Sequence, residues 1–360
     1  MHRKVILVTA ASRKLGCATV KALAHSGHMI FAAFDDASLD ARKISELAEY
    51  GNENGLDIRA VILDTDNSEA IELTIAQILR DAGRLDGIVH AEHQSALGQA
   101  EAFSDTEFAR MFDRIVLSAQ RVNRIAIPHL RHRMEGIIVW IVGSTTAAGG
   151  LPYRAPYLAA MSGLDALARQ YAHELTAWNI ETTIIVAGPQ LYVGGGPDIV
   201  SPADVVRMIE ADPDRNTAGL VQVWNTTVDL LGDRTDLGPI AGAVVEAVDT
   251  PLGYRPLRLH VDPSRDGADL AYAIEDRLRT EIYYRAGLGG LVGAVHVGER
   301  GYDHGQQADR QDHVRKLLHF LGGERGERHD LGAGQRLERL GAVGEVVLRL
   351  DAVQQVGGQR

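Results

Sequence analysis

Ser144 and Tyr157 carry hydroxyl groups that could handle a proton at a substrate oxygen. Ser144 stands at the end of the strand-like run Gly136 to Val142, and Tyr157, thirteen residues on, opens a helical pattern. A serine hydroxyl can polarise a carbonyl and a neutral phenol can donate a proton to it. Arg154 lies just before that helix and is expected at the surface. A second group of residues surrounds the first strand-to-helix turn, Thr9-Ala10-Ala11-Ser12-Arg13-Lys14-Leu15-Gly16. A small-residue turn in this position aims helix N-terminal N–H groups at a bound anion such as pyrophosphate, although it also serves as a tight turn with no ligand. Asp35 ends the second strand-like run, where a carboxylate accepts from ribose hydroxyls and repels a 2′-phosphate. Arg13 pulls the other way, and Asp35-Asp36 also reads as the start of a solvated loop. His90, Glu92 and His93 invite a metal reading, but neighbours on an extended segment face opposite sides, so no metal site is expected. His129 and His132 read as a solvated helix face.

The elements that must carry these residues alternate. Continuous apolar runs at Val5 to Thr9, Met29 to Phe34, Ile58 to Leu63, Leu85 to Val89, Gly136 to Val142, Thr182 to Val186 and Leu257 to Val261 predict about seven buried strands. Helical spacing predicts helices between them: Leu15 to Ser26, Ala41 to Tyr50, Ser68 (as N-cap) to about Asp81, Ser104 to about His132 from a capping box, Ala155 to Trp178, and Ala268 to Ala286. Ser201-Pro202 reads as a further helix start, and the loop from Leu191 to Val200 as a lid. The pattern predicts an α/β fold: a Rossmann-like doubly wound parallel sheet with helices on both faces.

A chain of 360 residues, 45% apolar, can build a sizeable core. Its net charge of −11 argues against nucleic acid or an anionic membrane surface as partner. No apolar run approaches the roughly 18 residues of a membrane helix, and a single cysteine, Cys17, suits a reducing compartment, so a cytoplasmic protein is expected. Residues 1–288 read as one domain. Residues 289–360 lack proline, favour arginine over lysine and show no clear periodicity, so a poorly structured or marginally helical tail, even a read-through extension, is expected.

Taken together, the Ser144 to Met161 segment, the first turn, Asp64 after the third strand and the Ala187-Gly188-Pro189 turn resemble the short-chain dehydrogenase/reductase family over about Lys4 to Leu288. Val139-Trp140-Ile141 and the run Arg258-Leu259-His260-Val261-Asp262-Pro263-Ser264-Arg265-Asp266-Gly267 are similar to bacterial members. The resemblance implies an NAD(P) cofactor, with NAD favoured by Asp35, held by Thr9, Ala10, Ser12, Arg13, Leu15, Gly16, Asp35, Asp64, His90, Ala91 and Gly188. It implies Tyr157 as acid/base, Ser144 as substrate-orienting donor, a small carbonyl or alcohol substrate, and a homodimer or homotetramer. The chain departs from the pattern at four places. Ala10 and Lys14 replace turn glycines, Met161 replaces the lysine four residues after the tyrosine, and Ile115 replaces the asparagine of the proton relay. Without an ammonium, which favours a phenolate by roughly 1–3 pKa units, the tyrosine is a poorer base. Two readings stay open: a weak NAD(P)-dependent oxidoreductase, or a catalytically inactive member of the fold serving as a binding or oligomerising module.

Overall fold

The computed structural model describes residues 3–144, 150–193, 199–200 and 235–292, with scattered positions between 219 and 229. The N-terminal half alternates strand and helix: β1 (Val5–Val8), α1 (Lys14–His25), β2 (Met29–Phe34), α2 (Ala41–Glu53), β3 (Ile58–Ile62), α3 (Ser68–Ala82) and β4 (Gly87–His90). A two-residue strand β5 (Ser95–Ala96) follows, then α4 (Asp105–Phe112), a π turn (Asp113–Leu117), α5 (Ser118–Arg133) and β6 (Gly136–Gly143). Next come α6 (Ala155–Glu174), β7 (Ile180–Ala187), α7 (Gln190–Val193), β8 (Ile199–Val200), α8 (Gly238–Asp249), β9 (Arg258–Val261) and α9 (Ala268–Arg285).

Seven strands form one parallel sheet in the order β3-β2-β1-β4-β6-β7-β9. Alternate side chains of one strand enter opposite cores, because successive Cβ atoms point to opposite faces. Leu7 and Phe31 therefore join Ile75 of α3, Val122 of α5 and Leu164 of α6 on one face. Ile6, Val8 and Ile30 join Leu15 and Leu23 of α1 and Val244 of α8 on the other. Both faces are dry, which is why these strands read as continuous apolar runs. The chain winds outward through β1, β2 and β3, then returns to β4 on the opposite side of β1. That reversal opens a crevice at the carboxyl ends of β1 and β4, the place where doubly wound sheets receive ligands.

The capping box at Ser104 and Glu107 is present. The cap of α3 is Asn67, not Ser68: its side chain accepts from the N–H groups of Glu69 and Ala70. Asn and Ser are equally good caps, so their adjacency left the register open to propensity. The β5–β8 pairing, Ser95 to Ile199 and Ala96 to Val200, was too short to register as periodicity. β9 is locked by Arg258, whose side chain is only 5% exposed, donates to Asp165 of α6 (2.5 Å) and Asp276 of α9 (2.6 Å), and lies 4.0 Å over the Tyr272 ring. Ser201-Pro202 and the segment from residue 293 onward, with the tail expected there, lie outside the described residues, as do residues 194–198 of the expected lid. Among the described residues no helix is long and apolar enough to cross a membrane.

Candidate active site

The first turn keeps a glycine's shape with one glycine. Ala10 takes the left-handed conformation at φ 54°, a region that L-residues other than Gly, Asn and Asp seldom visit. The turn is held by Ala11 N–H donating to the Ala33 carbonyl (2.8 Å), by Arg13 N–H donating to the Ala10 carbonyl (3.0 Å), and by Ala91 N–H donating to Thr9 Oγ1 (3.1 Å). Thr9, Leu15 and Gly16 are buried, Ser12 is half-buried, and Lys14 is exposed at the first position of α1. A Cβ at Gly16 would lie 2.1 Å from the Ala10 carbonyl oxygen, so only glycine lets α1 begin this close to the turn.

Beside this turn lies a cavity of about 560 Å³ whose lining includes Asp35, Asp64, Glu92, Glu107, Asp113 and Arg114. Asp35 accepts from Arg114 Nη2 at 2.7 Å. The Glu92 carboxylate sits 3.6 Å from Arg13 Nε and 3.8 Å from Arg114 Nε, so two arginines and two carboxylates form a lattice at the crevice. Arg114 belongs to the π turn, whose extra residue per turn resets the helix, with Ile115 turned wholly into the apolar core. Asp64 is exposed and accepts from the Asp66 N–H (3.0 Å). His90 points away from the crevice: its Nε2 is 2.9 Å from Asn123 Oδ1, its ring lies against Trp140, and burial pushes its pKa down to about 4, so it is neutral. Among the described residues no group of three or more His, Cys, Asp or Glu could hold a metal ion.

At the other end of the crevice, Ser144 and Tyr157 are both buried, each only 1% exposed. Ser144 is anchored by its N–H donating to the Ala187 carbonyl (2.6 Å). The Tyr157 hydroxyl lies over the backbone of Gly143, where a Cβ would approach it to 2.6 Å; the phenol therefore reaches the residue preceding the serine. Met161, one helical turn on, is fully buried in the same apolar cluster as Tyr157 and Ile115. Gly188 donates to the Val261 carbonyl (3.0 Å), as does Gln190 Nε2 (2.6 Å), while Gln190 Oε1 is buried with no donor.

Arg154 is not at the surface. It is 1% exposed and donates to Ser95 Oγ at 3.0 Å. Ser95 lies in the short β5–β8 pairing, which carried no sequence signal, and that contact explains why the exposure expected for a pre-helix arginine fails. Sequence reasoning also missed three features. Gly143 makes room for the phenol, Arg114 reaches the crevice from the π turn, and Asp266 accepts from Ser144 Oγ at 2.9 Å. Only the last had a signal, the Asp262-Pro263-Ser264-Arg265-Asp266-Gly267 run.

The family described as short chain dehydrogenase matches residues 4–191. A 3-ketodihydrosphingosine reductase of Bacteroides thetaiotaomicron is 23% identical over 188 residues, which are 52% of this chain and 64% of that protein. A 3-oxoacyl-(acyl-carrier-protein) reductase of Haemophilus influenzae is 24% identical over 255 residues, 71% of this chain and 94% of that protein. The fold is shared with a short-chain dehydrogenase from Streptomyces avermitilis at a TM-score of 0.60 and 22% identity, covering 80% of this chain and 98% of that one. It is also shared with an alcohol dehydrogenase from Thermococcus sibiricus, solved with 5-hydroxy-NADP, at a TM-score of 0.54 and 19% identity over 72% and 96% of the two chains. The family match spans more than half of the sequence, and it falls on the strands, the turn and the serine–tyrosine segment just described; the chain belongs to the short-chain dehydrogenase family.

Proposed function

We propose that this chain is an NAD(P)-linked oxidoreductase that reduces a carbonyl or oxidises a secondary alcohol, at a modest rate. The observation that carries this reading is the Tyr157 hydroxyl seated over Gly143, with Ser144 following at the carboxyl end of β6. Tyr157 is the acid/base and Ser144 the donor that orients the substrate oxygen. The residues fit a nicotinamide dinucleotide on two observations. Ala10 and Gly16 keep the turn wound tightly enough for backbone N–H groups to face a pyrophosphate, and Gln190 Oε1 is a buried acceptor lacking a donor beside Gly188, as suits a carboxamide. Thr9, Ala10, Ser12, Arg13, Leu15 and Gly16 would hold the pyrophosphate, Asp35 and Asp64 the adenosine, Ala91 and the backbone of His90 the strand edge, and Gly188 the nicotinamide end. A bound nicotinamide supplies or accepts the hydride. Asp35 favours NAD over NADP. The reductase names of the relatives agree with the reaction class, and dimers or tetramers through the long helices are the expected assembly.

A second reading has its own observation. The Glu92 carboxylate, placed between Arg13 and Arg114, puts negative charge beside the turn, and Met161 offers Tyr157 no ammonium, so the fold could serve as a binding module without chemistry. Fluorescence titration with NAD(H) and NADP(H) separates the two. Binding of either below millimolar concentration is expected; binding of neither at millimolar concentration sinks the oxidoreductase reading.

A further inference from the structure

The run Asp262-Pro263-Ser264-Arg265-Asp266-Gly267 connects β9 to α9 at the same edge of the sheet as Ser144 and Tyr157. Two carboxyl groups in it converge on the site. Asp262 receives Ser264 N–H and Oγ on Oδ1 (2.8 and 2.6 Å), and that same oxygen lies so close over Gly188 that a Cβ there would meet it at 2.0 Å. Asp262 Oδ2 accepts from the Asp266 N–H at 3.2 Å, and the two carboxyl side chains hydrogen-bond each other. Asp266 Oδ1 accepts from the Ala268 N–H (2.9 Å) at the start of α9, and Oδ2 accepts from Ser144 Oγ (2.9 Å). The ends of β6, β7 and β9 are thus tied together through a carboxyl pair and the serine.

We propose that Asp266, paired with Asp262 and hydrogen-bonded to Ser144, is a positioning residue that holds a proton for this site and decides whether the Ser144 hydroxyl points at the carboxylate or at a bound carbonyl oxygen. This rests on the oxidoreductase reading for its second half. With Asp266 ionised, the Ser144 proton is committed to Oδ2. With Asp266 protonated, the carboxyl O–H donates to Ser144 Oγ and frees the serine proton for the substrate oxygen. As that oxygen gains charge on reduction, Ser144 would give up its proton to it and take the Asp266 proton in turn, with the hydride being what a bound nicotinamide would supply. The product is the alcohol, an intact serine and an Asp266 carboxylate, which is partly desolvated where it meets Ser144 and Ala268 but belongs to an exposed residue and so regains its proton from solvent. Tyr157, with Met161 in place of an ammonium, thereby gains a second proton source at the same oxygen.

The electrostatic surroundings agree. Burial, then the Asp262 charge, pushes the Asp266 pKa up to about 6, while the hydrogen bonds from the Ala268 N–H and from Ser144 oppose the rise. Two carboxylates in contact cannot both ionise easily. Gln190 Oε1 from α7 lies beside Asp262 over Gly188, Arg265 stands between the two carboxyl residues in the chain, and the charges of Asp269 and Asp262 act on His260 of β9, which burial holds below the usual histidine value.

The test uses the full chain labelled with 13C at the aspartate carboxyl carbons, titrated by NMR from pH 4 to pH 8, with Asp266→Asn and Asp262→Asn identifying the two resonances. The expected result is a coupled titration that lies above the ordinary carboxylate range and moves upward by about 0.5 pKa units in Ser144→Ala, which removes a hydrogen bond to the charged form. In parallel, kcat/KM for carbonyl reduction is expected to fall about tenfold per pH unit as pH rises through that titration in the parent chain, and to lose that step in Asp266→Asn, which keeps the Oδ1 contact to α9. An ordinary Asp266 titration that ignores Ser144→Ala overturns the proposal whatever the activity. An active chain whose Asp266→Asn variant retains the parent pH profile also overturns it. An inert chain that shows the Ser144-dependent titration supports the carboxyl–serine coupling and overturns only the oxidoreductase reading.

Discussion

On the proposed oxidoreductase reading, Met161 limits the chemistry open to Tyr157. It is fully buried one helical turn after the tyrosine, so a lysine there would put an ammonium beside the phenol at the cost of desolvating it. Met161→Lys is expected to lower stability to urea by about 2–4 kcal/mol, because a buried unpaired cation is costly. It is also expected to raise the reductase rate at least tenfold with phenolate absorbance appearing at lower pH; an unchanged absorbance titration against a Tyr157→Phe control would refute this. His90 gives a pH prediction. Burial depresses its pKa to about 4 from the usual 6.5, so between those values the unfolded chain binds the proton and the folded one does not. The stability it affects is therefore present above pH 6.5 and drains away as pH falls toward 4, by about 3 kcal/mol if the full shift is felt. His90→Asn should flatten the acid limb of a stability-versus-pH curve over that window, and an unaltered limb would show the histidine to be uninvolved. Ser144, Tyr157 and Met161 were legible in the sequence through the resemblance of the Ser144 to Met161 segment to the short-chain dehydrogenase/reductase pattern. Gly143 was not, and Asp266 showed only as a member of the Asp262 to Gly267 run, since their contacts with Tyr157 and Ser144 arise from approach in space between segments far apart in the chain.

The strands were legible as elements, for a parallel sheet covered on both faces leaves no polar alternation to confuse the reading. α4 and α5 were legible as one long helix from their capping box, but the π turn at residues 113–117 was invisible because an inserted residue leaves the composition unchanged. That turn matters, since it carries both Ile115 into the core and Arg114 toward Asp35. The short β5–β8 pairing was equally hidden, and with it the burial of Arg154. β9 is the element most dependent on charge. Arg258 is almost fully buried between Asp165 and Asp276, and the two carboxylates hold its guanidinium firmly protonated despite burial, while the arginines in turn hold Asp276 below the usual carboxylate range. Arg258→Met removes the cation shared by the two carboxylates and leaves Asp165 with Arg169 (3.0 Å) and Asp276 with Arg279 (2.7 Å), so a loss of about 2–3 kcal/mol, less than for an unpaired buried charge, is expected. Asp165→Asn with Asp276→Asn in the same chain should recover part of that loss in a denaturant melt. No recovery would mean that packing over Tyr272, at 4.0 Å, and not charge, accounts for the effect.

At the scale of the molecule the question is whether a dianionic dinucleotide can enter a crevice of an acidic protein. The chain carries a net charge of −11, and Asp35, Asp64, Asp66, Glu92, Glu107 and Asp113 line the cavity against Arg110 and Arg114. Two cations beside the turn are engaged, Arg13 with Glu92 and Arg114 with both Glu92 and Asp35, while Lys14 is exposed at the first position of α1. Glu92 is the carboxylate that costs most, because it is buried and its field is poorly screened, whereas exposed Asp64 and Asp66 are damped by water and salt. Glu92→Gln removes that charge, keeps the side-chain length and leaves Arg13 and part of Arg114 facing the turn. A unit charge acting across several ångströms at a partly buried site is worth on the order of 1–2 kcal/mol, so NAD(H) is expected to bind roughly tenfold more tightly to the variant than to the parent. The gain should largely persist between 0.05 and 0.3 M salt, whereas an exposed change such as Asp66→Asn is expected to have an effect near zero throughout. Unchanged or weaker binding by Glu92→Gln, measured by fluorescence on a variant that melts like the parent, would mean that the carboxylate holds Arg13 and Arg114 in the geometry a dinucleotide needs. The ion lattice would then be part of the binding surface and not an obstacle to it.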